Sequence, residues 1–495
     1  WSWDGADDMK LNGYNGGAIE AAGKLNVSYE GDNIVTNGDG RGIKVKDGAN
    51  ENAELNIQAR VQHAQRDIFR DAITSVGSIN IDGAGTVNAT STEHDAIDAG
   101  GDVTIKAGNV NATGDSDGIR ADGNITIDNS GTVTAKATED QGIDANENLI
   151  IKGGGKVEAS SIKDNAIWAD GNIEISGGSQ VKASSEEDAT IDGKNSLTVT
   201  NASLNASGVG YGIYVYKGIT FDGATVTVRA SAGNDEASAL FTDEDDIVIK
   251  NGSIVDAFAE GQFSTAIFTR NYYPNEAGGH IYISDSVVKA IARYVESGSD
   301  GPDHYSNDQS GAVIPEHRGM NIGIFARTKE GITPATISIV RSKVTAEGDT
   351  AAIFALAVSA DGETIGTIEI EGAPIQTPTG GKIIGYRNKE ELDDGIFYVV
   401  GQTIGTGDAV IDSPYNEAVA KSTVIAPPEE IKPEEKPGET KPEFQVRGTK
   451  TTKTVAVAAT GAKIAGKLAA TGDASSAAIV AAALAGTAAI AAGAW

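Results

Sequence analysis

Asp117-Gly-Ile-Arg-Ala-Asp-Gly-Asn-Ile-Thr-Ile127 returns almost unchanged as Asn165-Ala-Ile-Trp-Ala-Asp-Gly-Asn-Ile-Glu-Ile175. Asp95-Ala-Ile-Asp-Ala-Gly-Gly-Asp-Val-Thr-Ile105 and Gln141-Gly-Ile-Asp-Ala145 are further copies. Self-similarity at a fixed period marks a repeat architecture. Each copy can be indexed by its first Ile: Ile19, Ile43, Ile73, Ile97, Ile119, Ile143, Ile167, Ile191 and Ile213. Less regular copies follow at Leu240, Ile267, Ile324 and Ile353. From Ile73 to Ile213 the spacing is 22 or 24 residues.

Each copy holds three alternating segments. The first is Ile-x-Ala. The second is x-Ile-x-Ile, as in Val103-Thr-Ile105 and Ile125-Thr-Ile127. The third is x-Val-x-Ala, as in Val87-Asn-Ala89 and Val133-Thr-Ala135. Period-2 alternation turns Ile, Val and Ala to one side and the residues between them to solvent. Gly, Asn and Asp separate the segments, where the chain must turn sharply. No segment is long enough to stand alone. Stacked at the strand spacing of about 4.8 Å, every backbone group finds a partner above and below, and thirteen coils make a rod of roughly 60 Å. The expected fold is therefore all-β, a right-handed parallel β-helix with three short strands per coil. Helical periodicity is absent, and a β-sandwich would need longer strands and hairpin signals.

The expected organisation is a β-helix over 1–425, a linker over 426–467 and an apolar end over 468–495. Within the β-helix, 15–257 is regular and 258–425 irregular. A gap of 57 residues separates Ile267 from Ile324, so an insertion interrupts a coil. It carries Tyr272, Tyr273, His304, Tyr305, His317 and Arg318. Loops longer than a repeat needs are often functional. The tract from Pro427 to Pro442 is rich in Pro, Glu and Lys, which favours an extended, stiff segment.

The chain of 495 residues carries a net charge of −31, contains no Cys and has only 5 % aromatic residues. The lack of Cys removes disulfides and thiol chemistry. The acidity excludes a nucleic-acid partner, which needs a basic face. It fits divalent cations, calcium above all, and also serves solubility. Trp1 opens the chain, so a product trimmed of its secretion signal is expected.

The residue after each index position faces outward. In order these are Glu20, Lys44, Thr74, Asp98, Arg120, Asp144, Trp168, Asp192, Tyr214, Phe241, Phe268, Phe325 and Phe354. Stacked in register, they form a line that begins charged and ends aromatic. A row of exposed rings suits sugars, whose C–H faces stack on them, and the candidate contacts are Trp168, Tyr214, Phe241 and Phe268. The alternative is that loops or the insertion cover the Phe residues. Acidic residues also recur before each index Ile: Asp71, Asp95, Asp117, Asp140, Asp164 and Asp188. Stacked carboxylates repel unless a cation bridges them. Asp95, Asp98, Asp117, Asp140 and Asp144 form the densest group and the expected calcium ligands; the alternative role for each Asp is to bond its own turn.

The repeat wording resembles a bacterial family known as carbohydrate-binding domain-containing proteins, β-helices similar in shape to pectate lyases. The resemblance is closest over 71–207 and extends over 15–375. It implies calcium near the Asp-Gly-Ile turns and a polysaccharide or host glycan as ligand, and it places no catalytic residue. Leu468-Ala469-Ala-Thr471-Gly472, followed by an apolar run to Trp495, resembles the cell-wall sorting signal of Gram-positive bacteria. Ala469 stands where that motif usually has Pro, a variant used by one actinobacterial sortase class. The resemblance implies cleavage between Thr471 and Gly472, attachment to peptidoglycan and display outside the cell. A plain membrane anchor formed by the apolar run would give the same display.

These observations lead to a wall-attached, calcium-assisted glycan-binding protein without catalysis. Two other functions compete: an adhesin or spacer that touches host protein, and a calcium-dependent polysaccharide lyase with Lys44, Lys106 or Arg120 as base. No nucleophile elbow, phosphate-binding loop or His-Glu-x-x-His motif is present.

Overall fold

The computed structural model describes residues 2–427 apart from 31–32, 38–41, 47–53, 60–61, 68–70, 107, 233–235, 272–277, 296–320, 330–334, 349–350, 359–365, 373–381, 390–397, 407–415 and 420–421. The described residues form a parallel β-helix, and no helix occurs among them. Three sheets run its length. Along the coils of each, the neighbours of a strand are the third strand before it and the third after it in chain order. Sheet 1 carries the index strands, from Ile19–Ala22 to Ala351–Val358. Sheet 2 carries the x-Ile-x-Ile strands, from Asp8–Asn12 to Thr367–Glu371. Sheet 3 carries the x-Val-x-Ala strands, from Asn15–Gly16 to Lys343–Glu347.

The core is the stack of inward side chains. Ile97, Ile119, Ile143, Ile167, Ile191 and Ile213 pair in unbroken register and are fully buried. Each such side chain contributes about 1.5–3 kcal/mol relative to exposure. Small Ala residues fill the other inward position of the same strands, at Ala99, Ala121, Ala145 and Ala169.

One turn recurs between sheets 2 and 3 in the left-handed region. It is occupied by Asn201, Gly223, Asn251, Asp285, Arg341 and Gly372, with φ between 46° and 66°. Gly, Asn and Asp tolerate that conformation best. Arg341 does so with its guanidinium on the Asp285 carboxylate, at 2.8 and 2.7 Å.

Winding ends at Glu371. The later strands run antiparallel: Asn416–Val419 pairs with Ala351–Val358, and Ser422–Ile425 pairs with Lys343–Glu347. Lys382–Lys389 and Tyr398–Thr406 form a hairpin. At the other end Ser2–Trp3 pairs antiparallel with Asp8–Asn12. Antiparallel strands close sheet edges that would otherwise invite pairing. Among the described residues of 258–425, coil strands continue as far as Glu371 and antiparallel strands follow. A compact unit spans Trp1–Glu430 and a second spans Ile431–Trp495. The described residues end at Pro427, so the expected linker from 428 on, the expected sorting motif Leu468, Ala469, Thr471 and Gly472, and the apolar run lie outside them.

Candidate functional site

The outward column of sheet 1 is continuous over thirteen coils. Glu20 pairs with Lys44, Lys44 with Thr74, and Thr74 with Asp98. Asp98 is followed by Arg120, Asp144, Trp168, Asp192 and Tyr214. Phe241, Phe268, Phe325 and Phe354 complete it. Parallel pairing in register places these side chains one strand spacing apart, about 4.8 Å.

Among the described residues, one acidic group has converging oxygens: Asp71, Asp95 and Asp98 each offer a carboxylate oxygen, all within 4.8 Å of one another. Two oxygens bound to one calcium at about 2.3–2.6 Å lie no further apart than roughly 5 Å, so the three fit a calcium ion. Thr74 Oγ1 donates to Asp98 Oδ2 at 3.3 Å and the Asp117 N–H donates to Asp95 Oδ1 at 2.9 Å, which orients both carboxylates. Burial, and then the charges of Asp98 and Asp71, push the Asp95 carboxyl up to about 6. Burial and the Asp71 charge raise Asp98 as well. A bound cation would relieve this mutual repulsion.

Of the five expected ligands, Asp95 and Asp98 belong to this group, and Asp117, Asp140 and Asp144 do not. Asp117 is buried and accepts from the Gln141 N–H at 2.8 Å. Burial first, then the charges of Asp95 and Asp144, push its carboxyl up to about 8. Asp140 stands one residue earlier in its turn, where its carbonyl accepts from Ser161 Oγ. Gln141 takes the ladder position after Asp117, because the Gly118 N–H donates to the Gln141 carbonyl. Asp144 faces Arg120 at 3.5 Å, and its buried Oδ1 has no hydrogen-bond partner. Arg120 also meets Asp98 at 3.2 Å and Asp122 at 2.8 Å. Three carboxylates keep this guanidinium charged, so it is a poor candidate for a base. Lys44 is two coils from Asp98 on the same column, and Lys106 follows a strand of sheet 2.

The aromatic part of the column divides in two. Trp168 is half-buried, donates from Nε1 to Asp170 Oδ1 at 3.1 Å and carries the Lys194 ammonium 5.3 Å from its ring centre. Lys194 covers the ring from an ion pair with Asp170 at 2.7 Å, with its side chain 60 % exposed. Tyr214 is half-buried, donates to Asp243 Oδ2 at 2.8 Å and stacks on Phe241. Phe241 and Phe268 are 1 % and 4 % exposed, which corrects the expectation that they present open rings. Coil spacing matches ring stacking: the Phe241, Phe268 and Phe325 centroids follow at 4.9 Å with planes within 9°. Ile322, Leu356 and the Arg270 guanidinium pack beside them. The insertion residues Tyr272, Tyr273, His304, Tyr305, His317 and Arg318 lie outside the described residues.

Asp192 lies between Trp168 and Tyr214. Burial, then the Asp188 charge, push its carboxyl from 3.8 to about 7. The folded chain therefore holds this proton more tightly than the unfolded one, and stability falls as pH rises from about 4 to about 7. Asp192→Asn removes that loss. It is expected to melt with the parent at pH 4 and about two degrees higher at pH 8, a gain on the order of 2 kcal/mol. Thermal denaturation followed by circular dichroism across this range checks it; equal melting at pH 8 would refute the assignment.

Comparison of the chain with protein-family models, with curated proteins and with solved structures gave no match.

Proposed function

We propose that the protein binds an acidic polysaccharide along the outer face of sheet 1, with calcium held by Asp71, Asp95 and Asp98, and does not cleave it. The carrying observation is the convergence of those three carboxylates where Asp98 stands on the continuous outward column. Calcium there would accept a uronate carboxylate as a further ligand. A chain of net charge −31 needs such a bridge to hold a polyanion. Trp168, three coils further on, would supply a ring face once Lys194 swings aside. Binding rather than elimination is favoured because Arg120, which pairs with Asp98, is also engaged by Asp122 and Asp144. With this function goes display outside the cell, attached to the wall through Leu468, Ala469, Thr471 and Gly472.

Titration calorimetry of the full chain with polygalacturonate tests the proposal. Binding is expected in calcium, absent in EDTA, and weakened at least about tenfold in Asp98→Asn, a difference of about 1.4 kcal/mol. Equal binding in EDTA would overturn the calcium bridge. Unsaturated uronide released from the polymer, seen by ultraviolet absorbance, would replace binding by lyase activity.

A further inference from the structure

A second surface, on sheet 2 at the opposite end of the β-helix from the Phe stack, has the makings of a site. A cleft of about 840 Å³ runs over the first coils, from Ser2 and Trp3 at one end to Asp82 and Lys106 at the other. Its floor is one outward column in register: Asp8, Asn26, Asn56 and Asn80. Their side chains form a directed ladder. Asn80 Nδ2 donates to Asn56 Oδ1 at 2.9 Å, Asn56 Nδ2 to Asn26 Oδ1 at 2.8 Å, and Asn26 Nδ2 to Asp8 Oδ1 at 2.7 Å. The carboxylate at the end can only accept, so it fixes the direction of every amide behind it. A primary amide has two N–H donors and two acceptor lone pairs. The ladder uses one N–H of Asn26 and of Asn80 and leaves each Oδ1 a lone pair.

Trp3 stands at the head of this floor and is 54 % exposed. Its position is fixed by the turn beside it. Nε1 donates to the Ala6 carbonyl at 2.8 Å, and Asp4 Oδ1 accepts from the Ala6 and Asp8 N–H groups at 2.8 and 3.1 Å. The indole N–H is therefore occupied, and the ring face is what it offers. The floor carboxylates are likewise engaged: Glu54 with Lys24 at 3.3 Å and Asn56 at 3.0 Å, and Asp8 with Asn26.

We infer that this cleft binds an uncharged, extended sugar chain, with Trp3 stacking on one ring and the Asn column bonding hydroxyls of the next. The coil spacing of about 4.8 Å is close to the length of one hexose in an extended chain, so one amide meets one sugar. Donor and acceptor on the same amide suit hydroxyls, which also do both. The site needs no metal and is independent of the calcium face on sheet 1.

Calorimetry of the full chain with cellohexaose, xylohexaose and mannohexaose, each in EDTA, tests it. At least one is expected to bind. Trp3→Ala should weaken that binding about tenfold, the worth of a stacked ring, without lowering the melting temperature. Asn56→Asp, which cannot donate to Asn26, should weaken it as well, and Asp95→Asn/Asp98→Asn should leave it unchanged. The site is overturned if none of the three binds, if Trp3→Ala binds as the parent does, or if an uncharged Gly-Ser peptide binds as well as the sugars.

Discussion

Ile143→Asp is expected to divide the rod into two independently melting halves. Ile143 is fully buried and lies between Ile119 and Ile167 in the core stack. Its side chain belongs to the hydrophobic core, so an aspartate there has no partner. Burial of an unpaired charge belongs to the small set of changes that cost more than about 4–5 kcal/mol. In a compact globule that would unfold the whole chain. In a solenoid each coil contacts only its neighbours, so the loss stays local. Coils before Ile119 and after Ile167 keep their own stacks. Differential scanning calorimetry should show two transitions in place of the parent's. Limited proteolysis should cut first between these two index residues. A melt indistinguishable from the parent's would contradict the stacked core.

Calcium is expected to stabilise the parent and not the Asp95→Asn/Asp98→Asn variant. Without metal the variant should be at least as stable as the parent, because it removes repulsion among Asp71, Asp95 and Asp98 and the burial of charge that raises both carboxyls. With calcium at a hundred times its dissociation constant, the parent should gain about 2.7 kcal/mol and overtake the variant. The crossing of the two melting curves between EDTA and calcium distinguishes a cation site from three turn-forming aspartates. Turn residues would give a variant that is weaker in both media.

The index residues were legible because the Ile-x-Ala wording of the regular coils is short, repeated and bounded by Gly and Asp, and all thirteen stand in register. The acid group was legible only in part. Asp71, Asp95 and Asp117 precede their index Ile by two residues, whereas Asp140, Asp164 and Asp188 precede theirs by three. Side chains one residue apart point in different directions, so a column assembled from both is not one column. The cue was Ser161 and Ser185, whose hydroxyls cap the shifted turns by bonding the Asp140 and Asp164 carbonyls.

The Phe column shows a different limit. Ile267-Phe268, Ile324-Phe325 and Ile353-Phe354 each put two apolar residues in succession, which breaks the alternation of the earlier coils. Such a break means that both faces of the strand are covered. The Asn floor on sheet 2 was hidden because its members are separated by 18, 30 and 24 residues, with no constant period to reveal them. Only the sheet pairing brings them together.

The most direct measurement is a crystal structure of the full chain grown in calcium with a short oligogalacturonate. The expected result is a cation among Asp71, Asp95 and Asp98, with oxygens at about 2.3–2.6 Å and a uronate carboxylate completing its shell. Calcium absent from that group, or the oligosaccharide bound on another face, would contradict the proposed function.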